Sequence, residues 1–84
     1  MPTTLCWVKW RDASYERGEY TREELTPCVT MESAGVVARE DDEQLSLALD
    51  YSPAFGRFES SYRHIVHIPK CNIIKERRFE IKRT

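Results

Sequence analysis

Arg63-His64-Ile65-Val66-His67-Ile68-Pro69-Lys70-Cys71-Asn72-Ile73-Ile74 is a β-rich run that one proline and one turn-forming asparagine interrupt and that resumes at once. β-Branched residues on both sides of so short a break read as strand, tight turn, strand, the way a small β-barrel passes from one wall to the next. Upstream, residues 58–68 read as a fourth strand. Phe58, Tyr62, His64, Val66 and Ile68 fall in one phase of its two-residue period, and Ile65 and His67 in the other. Downstream, residues 73–81 read as the fifth strand, with Lys75, Arg77 and Arg78 set around Phe79 and Ile81.

Working back from that run, the third strand has the clearest alternation. Leu45, Leu47 and Leu49 alternate with Gln44, Ser46, Ala48 and Asp50, which predicts three leucines on one buried face, extended by Tyr51. Residues 52–57, punctuated by Pro53 and Gly56, form the principal loop with Phe55 near its tip. An exposed aromatic there contacts a partner or folds back as a lid. Before the leucines, Glu40-Asp41-Asp42-Glu43 is a tight acidic turn held in solvent by its like charges. Residues 28–40 form a long second strand whose apolar content is Val29, Met31, Val36 and Val37. Gly35 near its middle marks a bulge or bend, with a strained or positive φ, that lets one strand serve both sheets of a small barrel.

At the other end of the chain, residues 5–11 are β-prone and apolar on both sides. Cys6, Val8 and Trp10 share one face, and Leu5, Trp7 and Lys9 the other. A tryptophan on each face means that the second face is covered too, by the helix, by another subunit or by a ligand. Residues 12–20 are polar and contain Gly18, a loop. Thr21-Arg22-Glu23-Glu24 then matches a capping box, and Pro27 limits the helix that it opens to one or two turns. The expected fold is mainly β: a single domain of 84 residues, a strongly bent, five-stranded antiparallel barrel with one short helix between the first and second strands.

Composition narrows the function classes. The chain is 40% hydrophobic and 32% charged with a formal net charge of −1, enough apolar content to fold. Charge is unevenly distributed: residues 39–50 hold five acids and one base, whereas residues 70–84 hold six bases and two acids. Such polarity steers an anionic partner to the basic end, or joins two copies acidic flank to basic flank. Three cysteines, Cys6, Cys28 and Cys71, cannot all pair within one chain and form no C-x-x-C. They read as small apolar residues in a reducing compartment. The first residues lack the basic start and apolar run of a signal peptide, and no segment has the ~20 apolar residues of a membrane span. The expected location is the cytoplasm.

No constellation points to catalysis or metal binding. The acidic turn lacks the Asp-x-Asp-x-Asp-Gly spacing of a calcium loop. His64 and His67, three apart, point to opposite faces of a strand and do not share a zinc ion. Cys71 beside Lys70 has no triad-like context, and Asp41 and Asp42 sit on a solvated turn where nothing separates their acidities. The expectation is therefore a protein that is not an enzyme and carries no cofactor.

Val8-Lys9-Trp10-Arg11-Asp12-Ala13, Pro27, Glu32-Ser33-Ala34-Gly35, Glu40-Asp41-Asp42 and Ile68-Pro69-Lys70-Cys71-Asn72-Ile73 resemble the sequence of a group of small bacteriophage and prophage proteins. Those proteins begin V-x-W-x-D-A, pass through a short helix and a proline, and end I-P-K-x-x-I. The resemblance implies a phage origin and, for the location, the host cytoplasm. The order of elements is also similar to that of the Sm-like and Src-homology-3-type small barrels. It departs from the Sm-like pattern in placing the helix after the first strand, and Pro69-Lys70 stands where the uridine-reading Arg-Gly would be.

Two functions fit these features. In the first, a non-catalytic module binds protein, itself included, through Trp7, Trp10, Phe55, the edge strands and the charged flanks. In the second, Lys70, Lys75, Arg77, Arg78, Lys82 and Arg83 bind nucleic acid while Tyr62 or Phe79 stacks on bases. The first is preferred, because a pI near 6.1 and a basic segment interrupted by Glu76 and Glu80 are unlike a dedicated nucleic-acid domain.

Overall fold

A computed structural model describes residues 3–82 of the chain. Strands β1 (Thr3–Asp12), β2 (Val29–Glu40), β3 (Gln44–Ser52), β4 (Ser61–Pro69) and β5 (Ile73–Ile81) form one antiparallel sheet in the spatial order β4-β3-β2-β1-β5. The strand, turn, strand reading of residues 63–74 holds. A 3-10 turn at Lys70–Asn72 joins β4 to β5 at opposite edges of the sheet.

β2 changes partner along its length. Residues from Val29 to Val36 pair with β1, whereas Val36 to Glu40 pair with β3, with a register shift between Val37 and Arg39. The bend lies where glycine was expected to mark it, but for a different reason. Gly35 is not among the positive-φ residues; a Cβ placed on it would lie 2.5 Å from the Ala48 carbonyl oxygen. Glycine is needed because the β3 backbone crosses directly over it.

The curl gathers a small core of Cys6, Val8 and Trp10 from β1, Leu45 and Leu47 from β3 and Ile68 from β4, flanked by Val37, Val66 and Ile73. Curling stops short of closure, which corrects the expected barrel: β4 and β5 both remain edges. Among the described residues, a Lys70 amide to Glu43 carbonyl bond at 2.8 Å ties the β4–β5 turn to the β2–β3 turn.

The leucine triplet is also corrected. Leu45 and Leu47 are fully buried, but Leu49 is 70% exposed. Pairing between β2 and β3 ends at Ala48, so the rest of the β3–β4 hairpin has no third strand beside it. It projects as an arm in a molecule of 59 × 23 × 20 Å with a radius of gyration of 16.8 Å, against about 12 Å for a compact chain of this length. At its tip Phe55 and Phe58 exchange backbone bonds of 3.0 and 2.9 Å around Gly56, whose φ is +58°. That is the position a two-residue hairpin reserves for glycine.

The expected capping box does not form. Arg22–Glu24 is one 3-10 turn, and Thr21 donates its hydroxyl to the Glu24 carboxylate at 2.9 Å rather than accepting a backbone amide. Leu25 and Pro27 follow too soon for a further turn. Glu16 holds the loop by accepting both the amide and the hydroxyl of Thr26.

Candidate functional site

Strand alternation divides the charged residues of β5 between two faces. Arg78 and Glu76 stand opposite Cys6 and Val8 on the side of the core, whereas Arg77 and Lys75 stand opposite Trp7 and Lys9 on the outer side. Glu40 reaches the inner pair from β2. Its carboxylate accepts both guanidinium nitrogens of Arg78, at 2.8 and 2.6 Å, and lies 2.8 Å from the Lys70 ammonium. Glu76 completes the cluster at 3.4 Å from Arg78. The Arg78 fork and the Lys70 ammonium hold the Glu40 carboxyl at about 2, and Glu40 in turn raises the Arg78 guanidinium further above its usual range.

Lys70 and Arg78 were both expected to bind a partner. The structure places them instead in a cluster that fastens β2, β5 and the β4–β5 turn to one another, with no positive charge to spare. The acidic and basic flanks thus meet within one chain. Glu40 is the residue that sequence reasoning missed. The only signal was its place at the strand end of the acidic run, where a carboxylate can face the sheet rather than solvent.

The tryptophans divide in the same way. Trp10 is 7% exposed in the core, its indole Nε1 donating to Ser33 Oγ at 3.1 Å, so it is removed from the candidate binding residues. Trp7 is half-buried on the outer face and donates to Glu32 Oε1 at 3.2 Å. Leu5, Trp7, Ala34 and Phe79 line an open apolar groove of about 350 Å³ there. Among the described residues, neither the 3-10 turn at Arg22–Glu24 nor any strand besides β1, β2 and β5 lines this groove.

The arm carries the third group of side chains. Tyr51 and Tyr62 stack across it with ring centroids 5.0 Å apart. Phe55, the loop aromatic expected at the tip, is there and is 81% exposed; Phe58 beside it is 64% exposed with the Arg57 guanidinium 5.5 Å above its ring. Tyr51 and Tyr62 continue the face of Leu45, Leu47, Val66 and Ile68, so the apolar stripe of the core runs out along the arm.

Of the histidines and cysteines, His64 belongs to the arm and Cys6 borders the groove. His67 Nδ1 meets Ser46 Oγ at 2.7 Å and Gln44 Nε2 at 2.9 Å, while His64, at φ +56°, faces Asp50 at 3.8 Å. Burial pushes the Cys6 thiol up, whereas Cys28 and Cys71 are exposed and so are not the packed thiols expected. Among the described residues, no cluster of three or more His, Cys, Asp or Glu could hold a metal ion, and no helix is long and apolar enough to cross a membrane. Lys82 is exposed at the end of β5, and Arg83 lies outside the described residues.

The fold defines a mainly β protein built on one open, curled sheet. No family model, curated protein or solved structure matches the chain.

Proposed function

We propose that this chain is a non-catalytic assembly module that joins further copies of itself through the β3–β4 arm. The observation that carries this reading is the apolar stripe. Its inner members Leu45, Leu47 and Ile68 are fully buried, and the same face continues through Tyr62 beyond the reach of the chain's own core, with Leu49, Phe55 and Phe58 exposed along the arm. An isolated two-stranded hairpin is marginal in water, so a second chain that covers the arm stabilises what the first leaves bare. Phe55, Phe58 and Leu49 are mostly exposed, so a chain that covers them gains part of the ~800 Å² one partner contributes to a standard interface.

The order of the strands, the long bent β2 and the 3-10 turn before β5 support a kinship with the Src-homology-3-type and Sm-like barrels, with closure left incomplete in the single chain. A phage-type protein working in the host cytoplasm fits the motifs of the sequence. This reading calls for no cofactor, small molecule or membrane.

Light scattering after size exclusion tests it. The parent is expected at a mass that is a multiple of 9.9 kDa, and the Leu49→Ser/Tyr62→Ser double variant at the monomer mass with unchanged far-ultraviolet circular dichroism. A monomeric parent at tens of micromolar, the outcome if the arm serves a different protein, would contradict self-assembly.

A further inference from the structure

The outer face of β1, β2 and β5 does not follow the pattern of the rest of the surface. On the inner side every cation of β5 and the adjoining turn is matched by Glu40 or Glu76. On the outer side Lys9 and Lys75 stand directly opposite one another across the β1–β5 ladder, with Arg77 and Arg11 one step away along the two strands. Like charges in register repel. Yet among the described residues none of these four cations forms an ion pair, and all four are exposed. Among the described strand positions of this face the one carboxylate is Glu32, which stands opposite Lys9 and accepts the Trp7 indole N–H.

Two aromatic rings of the apolar groove lie beside the cations. Trp7 is opposite Arg77, and Phe79, 58% exposed, is opposite Leu5, so the two rings occupy diagonal positions on neighbouring strands. Diagonal residues in an antiparallel pair are ~7–8 Å apart, close to the step between successive bases of an extended single strand. The indole is also fixed in orientation by its bond to Glu32.

We infer that this outer face binds single-stranded nucleic acid, with Trp7 and Phe79 stacking on bases and Lys9, Arg11, Lys75 and Arg77 taking the phosphates. An open sheet face with accessible rings and flanking cations is suited to unpaired bases, because every base offers a π-face and the charges need only follow the backbone. A duplex keeps its bases stacked on one another and cannot use the rings. The acidic groups behind the low net charge are concentrated at the β2–β3 turn and in the loop after β1, outside the strand positions that make up this face. This surface is distinct from the arm, so it can be tested independently of self-assembly.

The test is fluorescence anisotropy with a labelled oligothymidylate of ~20 nucleotides at ~50 mM salt, with a duplex of the same length for comparison. The full chain is expected to bind the single strand at micromolar concentration and more tightly than the duplex. Lys75→Glu/Arg77→Glu should weaken binding at least tenfold and lower the salt slope by about 1.4, at ~0.7 per phosphate contact on a single strand. Phe79→Ala should cost about 5- to 150-fold, the range for losing one stacked base. Trp7 emission should be quenched on binding; Trp7→Phe should remove that quenching and keep most of the affinity, because buried Trp10 is not reached by the strand. No retention at ~50 mM salt, equal affinity for the duplex, or a loss in Lys70→Glu as large as in Lys75→Glu/Arg77→Glu would each overturn the assignment. Thermal melts of every variant serve as the folding control, and an unchanged melt is expected for Lys75→Glu/Arg77→Glu because both positions are exposed.

Discussion

Gly35 and Ala48 decide the path of the chain at the scale of single residues. With the Ala48 carbonyl oxygen 2.5 Å from where a Cβ would stand, even alanine forces two backbones apart, and the loss is a matter of contact rather than of φ. Gly35→Ala should therefore destabilise by ~2 kcal/mol or more in urea unfolding, above the ~1 kcal/mol at most that strand propensity alone assigns to such a change. Equal unfolding midpoints for the variant and the parent would show that β3 does not cross there. The glycine was legible as a bend because glycine in a strand marks one. Its cause was not, because a residue thirteen positions further along the chain supplies the obstructing atom. The same limit applies to Trp10 and Trp7: alternation put them on opposite faces, but which face was the core depended on where β3 and β4 came to rest.

At the scale of elements, β2, β5 and the turn between β4 and β5 are fastened by Glu40. Its folded value of about 2 lies below the ordinary 4.5, so its contribution to stability is fully present above about pH 4.5. It is lost as pH falls through about 2. With Glu40, Lys70 and Arg78 all about one-third exposed on their side chains, solvent screening reduces this contribution to about 1–2 kcal/mol. Glu40→Gln should remove that amount at neutral pH and flatten the acid limb of the stability curve between pH 5 and 2, read by urea titration at each pH. An acid limb with the parent's slope would mean that the cluster does not form. The sequence carried the strands with small errors at their ends, since period-two patterns and the Pro69 turn are local signals. The sorting of cations into a neutralised set and an open set was not local. It depends on which face of β5 meets β2 across β1, and thus on register, which no single strand encodes.

For the molecule as a whole, a short core and a long arm are two consequences of one fact: β2 stops pairing with β3 at Ala48, so the hairpin beyond it has neither a third strand nor a core beneath it. Five strands, their order of appearance and the mainly β class could be read from the sequence, whereas the closed barrel was not what formed. Leu49 belonged to the same alternating stripe as Leu45 and Leu47 and differed only in having nothing to pack against. Self-assembly through the arm accounts for that exposure, and hydrogen exchange reads the arm directly. Amides of residues 49–64 should become protected as protein concentration rises from below one micromolar to tens of micromolar, while those of Cys6, Val8 and Leu45 stay protected throughout. Fast exchange across the arm at every concentration, with an unchanged core, would contradict the account.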